Sequence, residues 1–145
     1  MSIRHILSMT AGAGAVAFFA FPVAAAVLPM DAPTTVGSLQ AVCTGVGSAK
    51  DDPRWADYPI RLEFSNSAAQ FLAGENVKVM DNTGKLLAEF DCSGPWVLLQ
   101  LPKGTYGVTA AIPQQNLGPK TVRFETPSTG QKRVGIQFPS APANE

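Results

Sequence analysis

Between Val77 and Ala110 the chain reads Val77-Lys-Val-Met-Asp-Asn-Thr-Gly84-Lys-Leu-Leu-Ala-Glu-Phe90-Asp-Cys-Ser-Gly-Pro95-Trp-Val-Leu-Leu-Gln100-Leu-Pro-Lys-Gly104-Thr-Tyr-Gly-Val-Thr-Ala110. It is four strand-like runs cut by three turn signals. Val77 and Val79 line one side of a strand over 75–81. Asn82-Thr83-Gly84 makes a hairpin loop, with Gly84 in the left-handed position. Leu86, Ala88 and Phe90 form the inner set of the returning strand, and Ser93-Gly94-Pro95 stops it. Trp96 to Leu101 is apolar on both faces, as a central or doubly covered strand would be. Leu101-Pro102-Lys103-Gly104 has proline at the second position and glycine at the fourth of a type I turn.

Outward from that stretch the same pattern continues. Ile60, Leu62 and Phe64 alternate with Arg61, Glu63 and Ser65, the period of a half-buried strand. Tyr106, Val108, Ala110 and Ile112 alternate after the turn, then Val122 and Phe124, then Val134, Ile136 and Phe138. Gly37 to Gly47 is a further strand, and the polar stretch Ser48 to Asp57 holds a short helix capped by Ser48 and limited by Pro53. About seven short strands at regular spacing, with no helical period between them, predict an all-β fold: an antiparallel, Ig-like or prealbumin-like β-sandwich. One such domain spans 37–138, with a flexible leader over 27–36 and a disordered tail over 139–145. There is no internal repeat.

Residues 1–26 read as a cleaved signal peptide. Arg4 and His5 begin it, an uncharged run from Ala11 to Val23 follows, and Ala24-Ala25-Ala26 offers the small residues a signal peptidase takes. The alternative is a retained anchor, since residues 9–30 carry no charge. Cleavage predicts a periplasmic or secreted protein that meets the membrane only in transit. It also removes His5, the sole histidine. Of 11 basic and 11 acidic residues only Arg4 leaves, so the remaining chain carries a formal charge of −1. No basic field is left to hold a phosphate backbone, which excludes nucleic acid as a partner.

Val77-Lys-Val-Met-Asp-Asn-Thr-Gly84, Leu101-Pro-Lys-Gly-Thr-Tyr-Gly-Val108 and Arg133-Val-Gly-Ile-Gln-Phe138 together resemble the carboxypeptidase regulatory-like, or prealbumin-like, domains of small exported bacterial proteins. The resemblance covers roughly residues 58–138 and implies a β-sandwich without peptidase activity. Two departures stand out. Gly107 falls inside a strand, which suggests a bulge or a close backbone approach, and 37–57 has no counterpart. The hydroxyisourate hydrolases of similar fold use histidines and a closing Tyr-Arg-Gly-Ser. This chain ends Pro-Ala-Asn-Glu145, and past residue 26 it has no histidine.

Candidate chemistry is sparse. Cys43 and Cys92 are the only cysteines, and an oxidising compartment predicts a disulfide between them. Two cysteines alone do not complete a zinc shell, so no metal site is expected. Asp51, Asp52 and Asp57 cluster without calcium-loop spacing and read as a solvated loop. Glu63, Glu89 and Asp91 stand opposite the apolar sets and read as surface residues. No catalytic residue and no cofactor is assigned. Trp55, in its polar stretch, and Tyr58 are the candidate ligand-binding aromatics, whereas Trp96 reads as core. The function expected is a non-catalytic exported module that binds an envelope protein or ligand or serves as structure. The alternative is a small-ligand or carbohydrate-binding protein using exposed aromatics, with a hydrolase a distant third.

Overall fold

Strand alternation sets the architecture. In the computed structural model, which describes residues 12–17 and 25–139, every second residue of the strand Ile60–Asn66 is buried, Ile60, Leu62 and Phe64 among them. Ten strands run in chain order. They are β1 (Ala26–Val27), β2 (Thr34–Val36), β3 (Leu39–Thr44), β4 (Ile60–Asn66), β5 (Glu75–Asp81), β6 (Leu86–Cys92), β7 (Trp96–Gln100), β8 (Thr105–Ile112), β9 (Leu117–Glu125) and β10 (Lys132–Phe138). Three short 3₁₀ turns interrupt them, and no α-helix occurs among the described residues. The expected signal over 1–26 and the tail beyond 139 lie largely outside the described residues. No described helix is long and apolar enough to cross a membrane.

The strands form two five-stranded sheets. The first has the order β1-β6-β5-β8-β9 and the second β10-β4-β7-β3-β2. One buried cluster fills the space between them: Ile60, Leu62 and Phe64 from the second sheet meet Val77, Val79 and Phe90 from the first. The fold is therefore all-β and sandwich-like. Two features differ from the all-antiparallel expectation. β1 runs parallel to β6, and β10 runs parallel to β4 from Lys132↔Ile60 to Phe138↔Asn66. The second follows from connectivity. β9 ends in the first sheet, and the chain crosses to the other layer, so β10 is free of hairpin geometry and enters beside β4 in its own direction.

Ten strands replace about seven because the segment 27–36 is not a free leader. Leu28 is 3% exposed, its amide donates to Asp91 O, and Thr34–Val36 pairs with β3. Pro29 and Pro33 hide these short strands, since runs of two and three residues show no period. The central position expected for 96–101 is borne out: β7 lies between β4 and β3. The disulfide is present. Cys43 of β3 and Cys92 of β6 join the two sheets with Cα atoms 5.6 Å apart.

The hairpin at 82–84 forms as its residues dictate. Asp81 Oδ1 accepts from the Thr83 amide (2.9 Å), the Thr83 hydroxyl (2.6 Å) and the Lys85 amide (3.0 Å), while Gly84 takes φ +85°. Those bonds, the Thr83 hydroxyl first, hold the Asp81 carboxyl below its usual pKa. Gly107 makes no bulge. The register shifts fall at Val79/Met80 and Ala110/Ile112.

Candidate functional site

The outer face of the second sheet carries the richest combination of polar and aromatic groups. Outward-facing residues of adjacent strands fall into rows: Arg133–Arg61–Leu98–Val42, and beside it Gly135–Glu63–Trp96–Thr44. The apolar end of the first row is roofed by the segment 47–57. That segment folds as two 3₁₀ turns, Gly47–Asp51 and Pro53–Asp57. Ser48 caps neither turn. Asp52 caps the second, its Oδ1 accepting from the Arg54 amide at 2.9 Å. The carboxylate also takes the Arg54 guanidinium (Nη2 to Oδ2 2.8 Å), and this bond depresses the Asp52 pKa.

Trp55 was expected to be exposed and is not. It is 5% exposed and Tyr58 is 6% exposed, and with Val42 and Leu98 they form a second, smaller apolar cluster. The indole donates to Ala49 O (2.8 Å), and the Tyr58 hydroxyl donates to Gln40 Oε1 (2.9 Å). Burial raises the Tyr58 pKa. Gln131 fastens the roof to β10 by donating to Trp55 O (2.8 Å) and Tyr58 O (3.1 Å). These aromatics clamp the roof to β3 and β7 and do not form an open platform. Local polarity concealed this, because the apolar partners come from strands distant in sequence.

Trp96, read as core, sits instead on the outer face. Arg61 lies over its ring, with the guanidinium carbon 4.2 Å from the centroid, and the half-exposed Phe71 meets it edge-on at 6.1 Å. Gly45 makes room for the indole: a Cβ there would come within 2.9 Å of both Pro95 and the Trp96 ring. Arg61 Nη2 reaches Glu63 Oε1 at 2.7 Å, and Arg133 approaches the same oxygen at 3.9 Å. Arg61 Nε and Trp96 Nε1 are enclosed and have no hydrogen-bond partner. A cleft of about 240 Å³ opens between roof and sheet, lined by Asp51, Asp52, Trp55, Arg61, Trp96 and Gln131 among others.

The structure thus brings Asp51, Asp52 and Trp55 together at one cleft, and joins Glu63 to the adjoining stripe. It leaves Glu89 and Asp91 on the other sheet, beside Lys78 (4.0 Å) and Asn76 (2.9 Å). Among the described residues no three histidine, cysteine or acidic side chains converge as metal ligands would. A larger cavity of about 450 Å³ lies against β6, lined by Ala25, Ala26, Val36 and Leu86 with Glu89 as its one charge. It lacks the converging polar groups that define the smaller cleft.

Among the described residues, the one strongly perturbed carboxyl lies elsewhere. Glu75 opens β5, shares the inward parity of Val77 and Val79, and is 0% exposed with both oxygens unpartnered. Burial pushes its pKa up to about 9. It stands opposite Cys92 in the ladder and reaches no solvent. The alternation that marked Val77 and Val79 was the available signal for it.

No family model matches the chain, and the search of curated proteins finds no match either. The class is therefore defined by the structure: a small, disulfide-linked, all-β domain of two mixed sheets.

Proposed function

We propose that the chain is an exported, non-catalytic binding module of the cell envelope, an Ig-like sandwich of the carboxypeptidase regulatory-like, prealbumin-like type. We place its recognition surface on the outer face of the second sheet. The observation that carries this reading is the juxtaposition there of Arg61, Glu63, Trp96 and Phe71 beside an open cleft. Fixed charge pairs next to an aromatic edge orient a ligand without acting on it. The disulfide supports an oxidising destination, periplasmic or secreted, after cleavage near Val27.

Two observations support binding without turnover. Asp52 at the cleft and Glu63 beside it are engaged by arginines, and the Asp52 pKa moves down, away from that of a general base at neutral pH. Glu75, whose pKa moves up, is sealed from any substrate. The test is retention of an envelope component on the immobilised exported protein, beside panels of ester, peptide and glycoside substrates. Retention that Arg61→Ala weakens supports the reading. Turnover that co-purifies with the protein and vanishes on changing Asp51, Asp52 or Glu63 overturns it.

A further inference from the structure

The strand β1 carries the bond at which the signal is read to be cut. Ala26 and Val27 lie parallel to β6, opposite Phe90 and Asp91. Two backbone bonds bracket their place on the β6 edge. The Ser38 amide donates to Leu87 O at 3.1 Å, and the Leu28 amide donates to Asp91 O at 3.0 Å. Alternate residues of a strand turn their backbone groups to the same edge, so the N–H and C=O of Glu89 face it as well. The other edge of β6 is paired with β5. β1 is thus a two-residue strap over a short window of sheet edge, and Ala25 and Ala26 wall the cavity of about 450 Å³ beside it.

Cleavage removes that strap. Hydrolysis adds water across the Ala26–Val27 bond and leaves a carboxylate on Ala26 and an α-ammonium on Val27. Leu28 stays in place, since it is 3% exposed and its amide is held by Asp91 O. It keeps the new, exposed end at Asp91, while the window at Glu89 loses its strand. An uncovered sheet edge takes an extended chain as a further strand, with backbone groups carrying the recognition.

The residues that leave define what fits. β1 runs parallel to β6, so a chain in its place points its C-terminus at Val27. Val27 and Leu28 fill the path beyond, so the incoming chain ends there. Ala25 and Ala26 share the cavity with Val36, Leu86 and Ala88, so side chains of alanine size suit it. The acids beside this end have partners of their own: Glu89 approaches Lys78 (4.0 Å), and Asp91 accepts from Asn76 (2.9 Å). We propose that cleavage turns the β1 seat into a docking site for a peptide C-terminus of small residues, which adds to β6 in parallel and sets its carboxylate against the Val27 α-ammonium. This inference rests on cleavage near Val27 and names a second docking place, distinct from the face of the second sheet.

The experiment is an amide chemical-shift titration of the exported protein, its start at Val27 checked by intact mass. The probe is the acetylated peptide of residues 22–26, Pro-Val-Ala-Ala-Ala, as the free acid. Saturable shifts should appear at the Glu89 and Asp91 amides. The same peptide with an amidated C-terminus should bind several-fold more weakly, as should a free acid ending in Leu-Leu. The full-length chain, made without export so that β1 stays whole, should not respond. Glu89→Pro, which removes the donor on the seat's edge, should bind about tenfold more weakly or worse. Should that variant fail to fold, the full-length chain carries the same comparison. No saturable shift in a protein that begins at Val27, an equal response from the full-length chain, or equal affinity for the amidated peptide overturns the proposal. An exported protein whose mass puts its start elsewhere overturns the cleavage reading and this inference with it.

Discussion

Glu75 shows how a single residue can cost stability in a way that pH exposes. Its folded pKa of about 9 lies above the ordinary 4.5, so between those values the folded state holds a proton that the unfolded state has lost. Stability should therefore fall as pH rises through that window, by up to about 1.4 kcal/mol per pH unit, and level off above it. Glu75→Gln should flatten this slope and raise stability at neutral pH; urea unfolding from pH 5 to pH 9 measures both. A parallel slope in the variant would mean that the carboxyl is not held neutral. The position was legible in the alternation of Glu75, Val77 and Val79, but a charged residue at a strand end reads as solvated until the opposing sheet covers it. Trp55 is the opposite case, a core side chain in a polar sequence. Trp55→Ala should cost about 3–5 kcal/mol, measured by thermal or urea unfolding, because the ring anchors the roof on Val42 and Leu98. A change below 1 kcal/mol would contradict that role, since surface substitutions usually stay within about 0.5 kcal/mol.

Among the elements, those with a long period were readable and those held by tertiary contact were not. β4, β5, β6 and β8 follow from alternation and from turns such as Asn82-Thr83-Gly84, and β7 from its continuous apolar run. β1 and β2 are too short to alternate, and only the pairing of Leu28 and Val36 with distant strands orders them. The parallel entry of β10 beside β4 depends on a crossing between layers that no local signal encodes. The disulfide was readable from compartment and count, though not its role of stapling β3 to β6 across the core. With a separation of 49 residues, its loss should lower stability by up to about 4 kcal/mol on the chain-entropy account. Denaturant unfolding of a Cys43→Ala/Cys92→Ala pair measures this, and an unchanged midpoint would show that the sheets hold without the staple. The edges of the second sheet add a constraint on function. β2 is three residues long, and Lys120 of β9 donates to Gln137 O of β10 at 2.6 Å, so both edges are short or partly capped. That favours recognition by the sheet face over addition of a partner strand.

At the scale of the whole molecule, the two sheets divide the work. The first sheet turns outward the Asn76–Asp91 and Thr109–Thr121 pairs, and the second turns out the Arg61–Trp96 stack, the Glu63 pairs and the cleft under the 47–57 roof. This division was only partly legible. The sequence marked Glu63 as surface and Trp55 as a ligand contact, yet it took the register of β10, β4 and β7 to place Gly135, Glu63 and Trp96 in one row. Mapping amide chemical-shift changes while the exported protein is titrated with the envelope component it retains tests the central claim most directly. The account predicts changes centred on Arg61, Glu63, Trp96, Gly135 and the roof, with the outer face of the first sheet silent. Changes centred on Lys78, Thr109 and Thr121 of the first sheet would contradict it.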